Sequence, residues 1–451
     1  MTKFEQDKIG REEIVNRICL LVDNLQKDQH FCLALDGEWG SGKSFVLDMV
    51  EEKLKQHREY VIIKYDAWAN SFYSDPLIAI LSCLIEGVQE KLKEIKGYKK
   101  ARKEIAKEHS QHLLDELSQK SGKLGTIASI VKAIIAIIPK FQNTHSFEEN
   151  SNIADFKSYQ QLLGEIKENL NTLTAYREYR GKQNKLIILV DEIDRCLPDE
   201  QLKILERLHH LFDVKNCAVI CAVNKTSISK TFAKTYDGDG KQYLRKFFDY
   251  VVHLGVKADI YLSYLLRKDL SQRLEKIFPA EKMEQNVYYK LGMRIMPYQV
   301  AELACHYVLQ VAEKNNLQDK ISNREISRYY DNLIAIIGEF GWEKLGRQYL
   351  FFVIFGLFVN KFIKHQFFVE KMTPNPIAEL NLQPKVVSQT YSTDIIYEDE
   401  FINDFKTAVL NLRQGQHWQD HSYGEVAEGN EFYRLGLLII RYGGQDEYNE
   451  R

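Results

Sequence analysis

The sequence predicts an α/β protein with a parallel central sheet, and three observations support this fold class. Residues 31–35 are apolar and lead into a glycine-rich loop, which an amphipathic helical pattern over residues 44–55 follows. Residues 185–190 read Lys-Leu-Ile-Ile-Leu-Val, and residues 218–223 are apolar throughout. Uninterrupted apolar runs of this length are typical of strands that are buried on both faces of a parallel sheet.

The glycine-rich loop has the sequence of a complete P-loop. Glycines allow backbone N–H groups to converge on phosphate oxygens, and the start of the following helix adds partial positive charge. We expect Lys43 to reach the β- and γ-phosphates and the Ser44 hydroxyl to hold Mg²⁺. The alternative is a plain glycine turn between a strand and a helix. The predicted nucleotide-binding residues are Gly37, Glu38, Trp39, Gly40, Ser41, Gly42, Lys43, Ser44 and Phe45.

An acidic motif follows the second apolar run directly. Its residues are Asp191, Glu192, Ile193, Asp194 and Arg195. Open α/β sheets bind ligands beside the carboxyl ends of their strands, so a carboxylate here is expected to lie near the phosphates. We predict that Asp191 binds Mg²⁺ through water and that Glu192 polarises the attacking water. The alternative is an acidic helix cap after a core strand. Arg195 either reaches a neighbouring nucleotide or forms an ion pair that fixes this turn.

Asn224 ends the third apolar run, where a polar side chain can touch the γ-phosphate or the attacking water. The alternative is an ordinary turn or helix-cap residue. A helix with leucines at 202, 205, 208 and 211 is predicted before this run. His209 and His210 are adjacent, so on that helix they point about 100° apart and make a poor metal pair.

Composition limits the possible classes of protein. The chain has 451 residues, a length sufficient for two or three globular domains. Its residues are 45% hydrophobic and 27% charged, as in an ordinary globular protein. The formal net charge of −2 gives no basic field of the kind that nucleic-acid binding uses. Seven cysteines without disulfide or metal spacing indicate a reducing compartment. Residues 1–6 lack the apolar segment of a signal peptide, so we expect a cytoplasmic protein.

One region raises the alternative of peripheral contact with the inner membrane surface. Residues 124–139 form an apolar run that Lys132 interrupts, shorter than the roughly 20 residues of a membrane span. Residues 91–107 before it are strongly basic, and a basic stretch beside an apolar helix can bind anionic lipid. We favour a core helix and a solvated charged face, with weak membrane contact through 91–139 as the alternative.

Three segments together resemble the KAP P-loop NTPases. They are the loop Gly-x-Trp-Gly-x-Gly-Lys-Ser, the Ala67-Trp68 pair after the strand-like residues 60–65, and Asp-Glu-Ile-Asp-Arg-Cys-x-Pro at 191–198. The usual acidic signature of that family is Asp-Asp-Leu-Asp-Arg-Cys, so Glu192 and Ile193 depart from it mildly. The resemblance implies a P-loop core of the additional-strand type with a helical lid. It also implies a role of the kind that many bacterial members of such families are thought to have in phage exclusion.

The resemblance also organises the rest of the chain. Residues 323–328 resemble the Asn-Pro-Arg…Arg element of the family's lid, without the proline. Arg324 is therefore a candidate sensor of the γ-phosphate, with Arg328 on the same helix face; the alternative is two solvated arginines. The predicted division is a core at 1–69 and 181–256, a helical insertion at 70–180, a helical lid at 257–338 and a helical C-terminal region at 339–451. The insertion of many family members contains transmembrane helices.

The sequence thus predicts an ATPase that couples its nucleotide state to lid movement and to the regulation of an unknown protein partner or effector. A homo-oligomer fits this prediction, and nucleic acid is not the expected partner. The alternative from a different class is a nucleotide-gated scaffold that turns over almost no ATP. ATP is preferred to GTP because Asn224-Lys225-Thr226-Ser227 lacks the aspartate that reads guanine.

Overall fold

A computed structural model of the protein provides the fold. It describes residues 2–73, 75–93, 153–175, 184–236, 238–278, 297–318, 320–342, 347–363 and 431–443, and single positions at 129, 402, 405 and 409. The chain divides into two compact units, Met1–Gly255 and Val256–Arg451. The finer division into insertion, lid and C-terminal region stays a prediction.

The first unit is built on a five-stranded parallel sheet. The strands are β1 (His30–Asp36), β2 (Tyr60–Asp66), β3 (Lys185–Asp191), β4 (Cys217–Val223) and β5 (Tyr250–His253). Their spatial order is β2-β3-β4-β1-β5, and the described strand pairs are all parallel. Strand β4 lies between β1, which precedes the P-loop, and β3, which precedes the acidic motif. This inserted strand confirms the predicted additional-strand architecture.

Helices cover both faces of the sheet, which explains why the central strands are apolar throughout. Ile187 and Leu189 of β3 face one buried cluster with the first helices, whereas Ile188 and Val190 face the other. The described helices of this unit are α1 (Lys3–Gln6), α2 (Glu12–Asp23), α3 (Lys43–Leu54), α4 (Pro76–Lys93), α5 (Ile153–Ala175), α6 (Pro198–Leu211), α7 (Lys225–Tyr236) and α8 (Gly240–Leu244).

The P-loop helix α3 begins where the sequence predicts. Gly42 is its N-cap residue, with a left-handed backbone (φ 94°) that favours glycine. Val46, Met49, Val50 and Leu54 are buried, as the apolar stripe predicts. Phe45 is half-buried and packs against the same cluster. Strand β5 was not predicted, because it has only four residues and its first and last side chains are exposed.

The described elements of the second unit are helical, in agreement with the sequence. A large apolar core joins them, and within it the Tyr329 hydroxyl donates a hydrogen bond to the Ile354 carbonyl at 2.8 Å. The helices are α9 (Ala258–Tyr264), α10 (Ser271–Ile277), α11 (Pro297–Lys314), α12 (Asn323–Phe340), α13 (Arg347–Phe358) and α14 (Glu431–Gly443), with π-helical turns at Leu265–Leu270 and Val359–Ile363.

The segment for which membrane contact was considered lies almost entirely outside the described residues. Residues 124–139 lie outside the described residues except for position 129, as does the basic stretch beyond residue 93. Across the ranges that the structure describes, the helices are all too short or too polar to cross a bilayer.

Candidate functional site

The P-loop connects the carboxyl end of β1 to α3 in a conformation that depends on its glycines. Gly40 and Gly42 both have positive φ angles, of 78° and 94°. The Gly37 N–H donates to the carbonyl of Val223 at the end of β4, 3.1 Å away, and the Ser41 N–H donates to the Glu38 carbonyl at 3.2 Å. The loop is therefore held against the carboxyl edge of the sheet, where ligands bind in open α/β folds.

The side chain of Lys43 folds back over the loop. Its ammonium donates to the carbonyl oxygens of Gly37 (2.9 Å) and Glu38 (3.3 Å), and it lies 3.4 Å from Asp194 Oδ2. Lys43 is 9% exposed, so its positive charge is largely removed from water. A buried charge needs close partners, and the loop carbonyls and Asp194 supply them.

Trp39 and Asp194 join the P-loop to the acidic motif. The Trp39 indole N–H donates to Asp194 Oδ2 at 2.9 Å, while the Trp39 ring is 57% exposed. Asp194 therefore accepts from Trp39 with the same oxygen that faces Lys43. Because Asp194 lies in the short 3₁₀ turn Ile193–Arg195 after β3, these contacts link two segments more than 150 residues apart.

Asp191 and Ser44 meet at the centre of the site. The buried Asp191 carboxylate accepts a hydrogen bond from the Glu192 N–H at 2.9 Å, and the Ser44 side chain lies close enough to lower its pKa. Burial raises the pKa of Asp191, and nearby Asp66 adds to this, while Ser44, the Glu192 N–H and Lys43 oppose it. Ser44 is an exposed residue at this edge of the sheet.

Glu192 lies next to this pair in an unusual backbone conformation. Its φ and ψ angles of 60° and 27° are left-handed, which is uncommon for a residue other than glycine. Its carboxylate is 2.5 Å from Arg195 Nε. Burial and the Asp191 charge raise the pKa of Glu192, and Arg195 opposes that rise. The ion pair is the one considered for Arg195 from the sequence.

Asn224 caps a helix, the alternative considered for it, and also contacts the P-loop; its role towards the γ-phosphate or the attacking water stays a prediction. Its Nδ2 donates to Glu38 Oε2 in the P-loop at 2.8 Å, and its Oδ1 accepts from the Ser227 N–H at 3.0 Å, which caps α7. The side chain is buried. The helix-cap bond fixes the amide so that its N–H group points at the P-loop.

The donor set at this edge fits a magnesium nucleotide. Mg²⁺ prefers hard oxygen ligands and usually takes one or two from the protein, with waters and substrate phosphates completing the shell. The Ser44 hydroxyl and the Asp191 carboxylate are such oxygens. No group of three or more His, Cys, Asp or Glu side chains able to hold a metal alone occurs in the described part of the chain. A shell completed by phosphate and water agrees with both observations.

Comparison with known proteins agrees with this geometry. The sequence model of the KAP family P-loop domain matches residues 11–337, well over half of the chain. The chain belongs to the KAP P-loop NTPase family. This confirms the resemblance seen in the sequence and supports a nucleotide-binding P-loop domain.

Two individual proteins are similar to this KAP chain. The phage T7 exclusion protein of Escherichia coli (strain K12) is 21% identical over 282 residues, which cover 60% of this chain. The match covers 36% of that protein, so the chain corresponds to about a third of its length. Among solved structures, the ORC2 protein of Aeropyrum pernix, in ADPNP–ADP complexes, has 10% identity and a TM-score of 0.36, with 96% of this chain and 86% of that chain covered.

The fold brings together the predicted site residues of the first unit. Lys43, Ser44, Asp191, Glu192 and Asn224 all belong to the first unit and share the contacts above. Arg324 and Arg328 are exposed on α12 of the second unit, so their predicted sensing role stays a prediction.

One acidic residue was missed. Asp66 ends β2 in register with Asp191 and raises the pKa of both Asp191 and Glu192. The signal that identified Asp191, a carboxylate directly after an apolar strand, is also present at Asp66. Ala67 follows it with a buried side chain and donates its N–H to the Asp191 carbonyl at 2.9 Å, which locks the two strand ends together.

Proposed function

We propose that this KAP protein is a Mg²⁺-dependent ATPase whose nucleotide state regulates a protein partner. The observation that carries the proposal is the meeting of the P-loop and the acidic motif at one edge of the sheet, where Lys43 lies 3.4 Å from Asp194 and Ser44 lies close enough to Asp191 to lower its pKa. Family membership supports nucleotide binding, and hydrolysis is the step that we add.

Each residue has a defined part in this proposal. The backbone N–H groups of the P-loop and the Lys43 ammonium bind the phosphates. Ser44, with Asp191 acting through water, holds Mg²⁺, which neutralises charge that develops on the phosphoryl oxygens. Asn224 fixes Glu38 and so the shape of the loop. ATP is preferred to GTP because residues 224–227 lack the aspartate that reads guanine.

Glu192 is the proposed general base that orients and polarises the attacking water. A carboxylate acts best as a base when its pKa lies close to the working pH, and burial together with Asp191 raises the pKa of Glu192 in that direction. Strained backbone conformations persist where the surroundings enforce them, frequently at functional sites, and Glu192 has such a conformation.

The biological setting is proposed from the relative. One protein that matches the chain is named a phage T7 exclusion protein, which supports a role in phage defence. We propose that ATP hydrolysis opens and closes the helical second unit and so controls contact with a separate effector protein. Arg324 remains the proposed sensor of the γ-phosphate in that movement.

A second candidate function is a nucleotide-gated switch with negligible turnover. The observation that favours it is the 2.5 Å ion pair between Glu192 and Arg195, because a carboxylate held by a guanidinium is a weak base. In this case ATP binding alone would change the state of the protein.

One experiment separates the two functions. ATP turnover with Mg²⁺ is measured for the full chain and for Glu192→Gln, and binding of the analogue AMP-PNP is measured for both. Glu168→Gln, on the exposed face of α5, is the matched control. A loss of turnover of a hundredfold or more in Glu192→Gln with binding retained supports the ATPase. Equal, near-zero turnover with tight binding supports the switch, and absence of binding contradicts both.

A further inference from the structure

Arg11 is a buried cation whose partners are two backbone carbonyls. It precedes α2 and is 1% exposed. Its guanidinium donates from NH2 to the Ser41 carbonyl at 2.7 Å and from NH1 to the Gly255 carbonyl at 2.9 Å. Removing a guanidinium from water is costly, so burial lowers the pKa of Arg11, and the charge of Asp7 opposes this. Arginine suits this position because its planar guanidinium holds several N–H donors in a fixed arrangement that can reach two carbonyls at once.

The first partner lies in the middle of the P-loop. Ser41 is flanked by Gly40 and Gly42, both in the left-handed region. In a trans peptide the C=O and the following N–H point in opposite directions, and the described chain contains no cis peptide. Holding the Ser41 carbonyl towards Arg11 therefore turns the Gly42 N–H away from Arg11. Glycine flanks allow this peptide to rotate easily, so its orientation needs an external constraint.

The second partner lies where the chain leaves the first unit. Gly255 is the last residue of that unit, and Leu254 before it donates its N–H to the Asp36 carbonyl at 2.7 Å. The segment also packs tightly on the start of the P-loop, since a Cβ built on Gly37 would lie 3.1 Å from the Leu254 carbonyl oxygen. Leu254 thus packs directly on Gly37 at the start of the P-loop. Gly255 is linked to Ser41, in the middle of the loop, through the Arg11 guanidinium.

We propose that Arg11 is a positioning residue that sets the orientation of the Ser41–Gly42 peptide and ties it to the exit segment 254–255. Nucleotide phosphate that binds the Gly42 N–H then stabilises the same peptide orientation that Arg11 holds. Binding is therefore coupled to the order of the segment that leads into the second unit. This inference rests on the proposed nucleotide site and adds a residue that makes no contact with phosphate itself.

The test uses the full chain, AMP-PNP with Mg²⁺, and two measurements. Nucleotide affinity is measured by calorimetry, and hydrogen–deuterium exchange is followed in peptides that cover residues 250–260. The variant is Arg11→Lys, which keeps the charge but has no fork able to bridge two carbonyls. Arg17→Lys is the matched control, because Arg17 is exposed on the same helix. Thermal unfolding without nucleotide reports whether each variant folds.

We expect AMP-PNP to slow exchange over 250–260 in the wild-type protein and in Arg17→Lys. In Arg11→Lys we expect the Kd to rise about tenfold and this protection to be lost, since a charge-assisted bridge is removed. A purely structural role would lower the unfolding temperature and leave the nucleotide-induced protection unchanged, which would overturn the inference. If Arg11→Lys does not fold, the wild-type protein still decides: binding without protection of 250–260 overturns the inference.

The outcome also distinguishes this inference from the proposed function. Wild-type protein that binds no AMP-PNP shows that the nucleotide site itself is wrong. Wild-type protein that binds AMP-PNP with protection, beside an Arg11→Lys variant with the same affinity and protection, shows that only the role of Arg11 is wrong.

A weaker version of the same change is Asp7→Asn, because Asp7 Oδ2 accepts the Arg11 backbone N–H at 2.5 Å. We expect it to shift affinity in the same direction by a smaller factor.

Discussion

The carboxylate of Asp194 lies 3.4 Å from the ammonium of Lys43, the residue that is expected to bind the β- and γ-phosphates. Both side chains are nearly excluded from water, and Asp194 also accepts the Trp39 indole N–H. An incoming phosphate carries the same sign of charge as Asp194 and competes for the same cation. Asp194 is therefore the counter-ion of Lys43, and an incoming phosphate would compete with it.

The first prediction concerns this counter-ion. Asp194→Asn keeps an acceptor for Trp39 but removes the negative charge, so we expect AMP-PNP with Mg²⁺ to bind several-fold more tightly. The free energy of unfolding without nucleotide should fall by about 1–3 kcal/mol, because Lys43 loses a buried charged partner. Calorimetry and urea unfolding measure the two effects, with Asp194→Glu as the charge-preserving control. Weaker binding in Asp194→Asn would show that the carboxylate acts in the nucleotide complex instead.

The second prediction concerns the pH dependence of stability. The folded state raises the pKa of Asp191, so it holds the proton more tightly than the unfolded chain, in which Asp titrates near 3.9. The contribution of Asp191 to stability therefore falls as pH rises from about 4 through the raised pKa. Asp191→Asn does not titrate and keeps an acceptor for Ser44. We expect its urea midpoint to exceed that of the wild type at pH 7.5, and the gap to narrow towards pH 4.5. A gap that is constant with pH would contradict this account.

The third prediction separates the two roles considered for Arg195. Arg195 lowers the pKa of Glu192, so Arg195→Ala should raise that pKa and move the acid limb of the pH profile of kcat/KM to higher pH. Arg195→Lys keeps the charge and should leave the limb near its wild-type position. An arginine that acts on a neighbouring subunit would give a different result. Turnover would then fall about a thousandfold at every pH and recover when Arg195→Ala is mixed with Glu192→Gln.

The fourth prediction compares two glycines whose substitution by alanine is expected to destabilise the folded state for different physical reasons. Gly42 has a φ of 94° and open space where a Cβ would lie, so Gly42→Ala should cost about 1–2 kcal/mol of backbone strain. Gly240 has no such strain, but its Cβ would lie 1.9 Å from the Ser229 carbonyl oxygen. Backbone must then move, and we expect Gly240→Ala to cost about 3 kcal/mol or more. Urea unfolding of both variants tests the ranking, and the reverse order would contradict it.

Much of the first unit can be read directly from the sequence because its signals are local. Strands β1, β3 and β4 are recognisable because burial on both faces requires an uninterrupted apolar run. The P-loop is recognisable because left-handed positions such as Gly42 require glycine within a fixed spacing of the lysine. Strand β5 carried no such signal, since Tyr250 and His253 at its ends are exposed at the sheet edge.

The candidate site was predictable as a set of residues but not as a set of contacts. The sequence by itself determined that Lys43, Ser44, Asp191 and Glu192 follow the strands whose carboxyl ends meet at one edge. Only the tertiary structure decided that Asp194 is the partner of Lys43 and that Arg195 holds Glu192. It also decided that Arg11 bridges Ser41 and Gly255, the latter 244 residues away from Arg11 in the sequence. The physical reason is that long-range partners depend on strand order, and β4 separates β1 from β3 although it follows both in the chain.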